Sequence, residues 1–148
     1  MIFRGIDNQT VELRILSYQY PDINIPGDYD SNWLRIYVKV QSKLGNWQTV
    51  DPALTTGEVR ELITWFRDLS EGREVQYPEL TFTEPCIAFL LMSNSPAEKI
   101  IRIDFWAEMK PKSAKEDQKY FVDCAFTNQE LADVSLQLEN ELKPTPPR

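Results

Sequence analysis

Apolar and polar residues alternate through positions 34–40, where Leu34, Ile36, Val38 and Val40 stand against Arg35, Tyr37 and Lys39. A period of two sends each set to its own face of an extended chain, so residues 33–41 are predicted to form a half-buried strand. The same period runs through residues 11–20, with Val11, Leu13 and Ile15 against Glu12 and Arg14. It returns in residues 100–109, where Ile101, Ile103, Phe105 and Ala107 oppose Arg102, Asp104, Trp106 and Glu108. Residues 47–50, 80–83 and 120–126 are shorter strand candidates. Residues 86–92 are apolar on both faces, which predicts a central strand.

Twice the period lengthens to that of a helix. Thr55 and Glu58 form a Thr-x-x-Glu capping box, and Val59, Leu62, Ile63, Phe66 and Leu69 follow as one apolar stripe. Gly72 is placed to take the left-handed conformation that ends such a helix, predicted over about residues 56–71. Thr127 and Glu130 open a second one over about residues 128–142, with Leu131, Val134, Leu138 and Leu142 as its stripe. Strands joined by short turns pair antiparallel. The expected fold class is therefore α+β: one antiparallel sheet of about six or seven strands, curved or sandwich-like, partly covered by two amphipathic helices. The 148 residues are expected to form a single domain without internal repeats, closed by a short proline-rich tail over residues 143–148.

Charge narrows the partners. Sixteen Lys and Arg against 23 Asp and Glu leave a net charge of −7, which repels phosphate backbones and excludes nucleic acid as the expected partner. A basic protein surface would be attracted instead. Histidine is absent, so Ser-His-Asp and Cys-His arrangements cannot be built within the chain, and the commonest metal ligand is missing. No cofactor or metal site is expected. Cys86 and Cys124 are too few for a disulfide framework and sit among apolar neighbours, as buried thiols do. The sequence shows neither a signal peptide nor an apolar run of membrane-spanning length, so a cytoplasmic, membrane-free protein is expected.

Candidate chemistry is sparse. Asp104, Glu108 and Asp123 could serve a carboxylate-dependent hydrolase if they converged in one cleft, but a solvated strand face explains them as well. Glu84-Pro85-Cys86 reads as a strand boundary. An apolar pocket enclosed by a curved sheet would make the chain a small-ligand-binding or scaffold domain. The tryptophans Trp33, Trp47, Trp65 and Trp106 alternate with charged residues, where aromatics serve either as the edge of a core or as interface anchors.

With these residues in view, the chain resembles the WapI family of bacterial immunity proteins. The resemblance is carried by Asp30-Ser31-Asn32-Trp33-Leu34 opening a strand, and by Trp47 with Asp51-Pro52-Ala53-Leu54-Thr55 leading into Glu58-Val59-Arg60-Glu61-Leu62-Ile63-Thr64-Trp65. Leu80-Thr81-Phe82-Thr83-Glu84-Pro85 and a final helix followed by a proline-containing tail with Arg148 add to it. It spans roughly residues 10–148. The resemblance implies a cytosolic antidote, not an enzyme, that binds and blocks the toxic domain of a polymorphic or contact-dependent toxin, in several cases a nuclease. It assigns no contact residues. On charge and expected exposure, the partner-binding candidates are Asp28, Asp30, Glu58, Glu61, Asp68 and Glu71, with Trp33 and Trp65 as aromatic anchors.

Overall fold

The chain builds the same unit twice, a four-stranded antiparallel meander that runs directly into a helix. A computed structural model describes residues 1–148. The first unit comprises β1 (Ile2–Arg4), β2 (Thr10–Tyr18), β3 (Trp33–Ser42), β4 (Gly45–Thr55) and α1 (Thr56–Ser70). The second comprises β5 (Glu79–Leu80), β6 (Ile87–Asn94), β7 (Lys99–Phe105), β8 (Tyr120–Phe126) and α2 (Asn128–Leu142). The strand orders are β1-β2-β3-β4 and β5-β6-β7-β8. Neither helix is long and apolar enough to cross a membrane.

The α+β class and both helices agree with the sequence reading, but the single sheet of six or seven strands becomes two sheets of four. The reason lies at Thr55. β4 hands the chain straight into a helix of 15 residues, which at about 1.5 Å per residue carries it some 22 Å away before another strand can form. The second meander then pairs only with itself. The outer edge of β4 meets a short turn at Ala107–Met109: Trp47 Nε1 donates to Met109 O at 2.9 Å and Thr49 Oγ1 to Glu108 O at 3.2 Å.

Other boundaries shift for local reasons. β7 ends at Phe105 instead of continuing to 109, and Ala107 takes φ +41° in the turn that follows. β4 is longer than residues 47–50, because an edge strand tolerates Pro52. β1 is too short for its alternation to register. Between β3 and β4 the two-residue turn Lys43-Leu44 closes on Gly45, whose φ of +131° suits glycine alone.

Thirty-two buried residues from both sheets and both helices form one core. At one end Phe3, Phe66, Phe89 and Phe126 meet, so β1, α1, β6 and β8 share a single aromatic cluster; Phe66 lies 5.8 Å from Phe89 and 6.3 Å from Phe126. At the other end the sheets touch directly, with Trp47 edge-on to Phe105 at 5.5 Å and to Tyr120 at 5.7 Å. Cys86 and Cys124 are free, buried thiols, as their neighbours indicated. Residues 143–148 do not hang free: Thr145 is buried and Tyr18 Oη donates to Pro146 O.

Candidate partner-binding surface

The stretch Asp30-Ser31-Asn32 is a joint. Ser31 is fully buried, and its N–H and hydroxyl both lie in hydrogen-bond reach of the Asp28 carboxylate, at 3.0 and 3.1 Å. Asn32 Oδ1 accepts from Thr56 Oγ1 at 2.7 Å, which fixes the start of α1 against the start of β3. Arg148 closes the joint from the other side. Its guanidinium stacks over Tyr18 at 3.5 Å and donates to the carbonyls of Tyr20 and Pro21.

Glu58 is equally committed. Its Oε2 accepts from Thr55 N at 2.7 Å, completing the capping box, and its Oε1 accepts from Thr83 N at 2.7 Å. One carboxylate therefore seals the helix N-terminus and ties down the segment before β6. Of the eight side chains expected at a partner, Asp28 and Glu58 thus serve the fold. Trp65 departs from the expected exposed anchor: it is buried at 5% exposure, because residues 75–80 wrap over it and Tyr77 O accepts from its Nε1 at 2.9 Å. Asp68 and Glu71 both pair with Arg73. Trp33 is half-buried, edge-on to the exposed Tyr29 at 5.6 Å. Asp30 and Glu61 are exposed and enter no ion pair.

A second group of free carboxylates escaped the sequence reading as a partner surface. Glu84 before β6 and Glu108 after β7 both act electrostatically on Asp51 of β4, and none of the three enters an ion pair. Partial burial, then Glu108 and Glu84, raise the Asp51 carboxyl above its usual range. The group borders the joint, since Tyr29 Oη donates to Thr83 Oγ1 at 2.8 Å beside Glu84. No local pattern announces it, because three distant segments supply one residue each.

Glu108 stands with this group, while Asp104 and Asp123 lie on the second sheet, where Arg102 holds Asp123 through two bonds of 2.7 and 2.9 Å. The single cleft expected of a carboxylate hydrolase therefore does not form. The concavities are surface grooves; one of about 450 Å³ runs between α1 and residues 75–80, past Glu61, Trp65 and Tyr77. Every buried side-chain nitrogen and oxygen already has a hydrogen-bond partner.

The arrangement is that of a rigid scaffold with uncompensated acidic groups at its rim. No curated protein and no solved structure matches the chain. A family model does, across residues 1–146, and the chain belongs to the immunity protein WapI-like family.

Proposed function

We propose that this protein neutralises a cognate bacterial toxin domain by stoichiometric binding, acting in the cytoplasm of the cell that makes it, without turning over a substrate. The observation that carries this reading is the family match over residues 1–146. The charge distribution supports it. A net charge of −7 combines with carboxylates that no ion pair within the chain neutralises: the exposed Asp30 and Glu61 from the expected set, and the exposed Glu84 and Glu108 with the half-buried Asp51. A toxin that acts on nucleic acid must present basic side chains to phosphate, and an acidic protein competes for that surface. Trp33 and Tyr29 supply aromatic area next to Asp30. Asp28, Glu58, Asp68 and Glu71 reinforce the negative field while holding the scaffold.

The test is co-expression with the toxic domain encoded beside this chain. Rescue of growth, together with a one-to-one complex of the purified proteins, is the expected result. Absence of rescue, or rescue with no complex, overturns the reading.

A further inference from the structure

The two sheets present different outer faces. On the first, the cross-strand rows are Arg4–Thr10–Gln41–Asn46, Ile2–Glu12–Lys39–Gln48 and Arg14–Tyr37–Val50, a mainly polar surface with more basic than acidic side chains. On the second, the rows are Glu79–Leu90–Arg102–Asp123, Ala88–Asp104–Phe121 and Ser93–Ile100–Ala125. The core and both helices lie on the opposite side of this sheet, against Ile87, Phe89, Ile101, Ile103, Val122 and Cys124. Leu90, Ile100 and Phe121 are half-buried with no element laid over them, while Met92 at 50% and Trp106 at 43% exposure stand at its two ends. A half-apolar sheet face bounded by methionine and tryptophan has the composition of an interface centre.

Its charges are arranged to receive a cation. Arg102 is spoken for: Asp123 takes it bidentately, and it lies over the Phe121 ring at 3.9 Å. Asp104, one row away between Ala88 and Phe121, is half-buried and has neither a hydrogen bond nor an ion pair to its carboxylate. Burial raises its carboxyl above the usual range against the pull of Arg102 and Lys119. A partly desolvated carboxylate without a partner is costly in the free protein and recovers that cost when a cation meets it.

We propose that the outer face of the second sheet is the docking face for the toxin, with Asp104 accepting an arginine or lysine that the toxin presents among apolar side chains. The inference rests on the immunity reading and names the surface through which it works. A second copy of this chain is a poor occupant. The face sets Glu79, Asp104 and Asp123 against Arg102, which Asp123 already holds, with Lys119 and the Lys110 that lies 5.4 Å over the Trp106 ring at its margin, so a second copy brings no free cation from within the face to Asp104. The acidic rim at Asp51, Glu84 and Glu108 lies past Trp106 and would speed approach of the same basic partner.

The experiment titrates Asp104→Arg and Met92→Lys variants against the toxic domain that the wild-type chain neutralises, purified in inactive form. Glu12→Arg on the first sheet is the control. Each of the two variants should weaken binding at least about 30-fold and abolish rescue, while Glu12→Arg stays within about twofold. Met92 is exposed, so its substitution spares the fold even if Asp104→Arg does not. On binding, backbone amides of β6 and β7 should gain protection from hydrogen exchange. Wild-type rescue with undiminished affinity in Met92→Lys, or protection confined to α1 and residues 21–32, overturns the docking face and leaves the immunity reading standing. Failure of the wild-type chain to rescue overturns both. A homodimer that Met92→Lys dissolves would assign the face to a second copy and likewise overturn the proposal.

Discussion

The side-chain amide of Asn32 grips the backbone of Arg148 in both directions, Oδ1 accepting from Arg148 N at 2.9 Å and Nδ2 donating to Arg148 O at 3.1 Å. The same amide receives Thr56 Oγ1 and donates to Asp28 O at 3.1 Å. One side chain thus joins the loop before β3, the first turn of α1 and the end of the tail. The stretch Asp30-Ser31-Asn32-Trp33, on which the family resemblance rests, is conformational glue before it is a contact surface.

Asn32→Ala should therefore cost about 2–3 kcal/mol, since four hydrogen bonds go and their partners are part-buried. Arg148→Ala should cost less, about 1 kcal/mol, and the double variant should lose less than the sum because both belong to one network. Urea unfolding of the three variants measures this. Strict additivity would show that the joint does not act as a unit.

The two capping boxes look alike in sequence and differ in the structure. Glu130 seals only its own helix, whereas Glu58 also accepts from Thr83 N. Glu130→Ala should cost about 0.5–1 kcal/mol and Glu58→Ala about 1.5–3 kcal/mol. Hydrogen exchange at Thr83 should accelerate only in the second variant. Equal losses would deny Glu58 its second role.

Phe66 reaches Phe3, Phe89 and Phe126 and is fully buried. Phe66→Ala should destabilise by about 3–5 kcal/mol through lost burial and the cavity left behind. Because that cluster links both meanders, thermal unfolding should remain one transition. Two separate transitions would mean that the halves fold independently.

Burial pushes the Cys86 and Cys124 thiols up to about 12 from an ordinary 9.0. Each holds its proton more tightly folded than unfolded, so this stabilisation is full below 9.0 and is lost as the pH climbs towards 12. Stability should fall across that window, and less steeply in Cys124→Ala after correction for its lower baseline. Near pH 8 neither thiol should react with a disulfide reagent until denaturant is added, at least about a hundredfold slower than free cysteine. Rapid labelling of the native protein would contradict the packing.

For Asp51 the sign runs the same way. A raised folded value makes the charged form costly, so the stability this one group contributes is greatest at acid pH and falls as the carboxylate ionises. Asp51→Asn should gain about 0.3 kcal/mol at neutral pH, a small figure because the group is partly exposed and screened. The gain should shrink with salt. A loss of stability would show that the carboxylate makes a favourable contact.

How much of this was legible beforehand depends on the range of each interaction. Both helices, their capping boxes, the strands around residues 33–41 and 120–126 and the burial of the cysteines were written locally, because period and cap chemistry act within a few residues. The net charge of −7 needed no structure at all. The partition into two sheets was not legible. Local pattern says that a strand exists, while its partner is chosen by where α1 delivers the chain. The repeated unit was hidden for the same reason, since only the two Thr-x-x-Glu boxes echo each other in sequence. Tertiary structure alone decided which acidic side chains stay free. Glu58, Asp68 and Glu71 found partners within the fold, Trp65 was roofed by residues 75–80, and Asp51, Glu84, Asp104 and Glu108 were left unpaired. A carboxylate's availability depends on what long-range folding sets beside it, and no short window of sequence contains that neighbour.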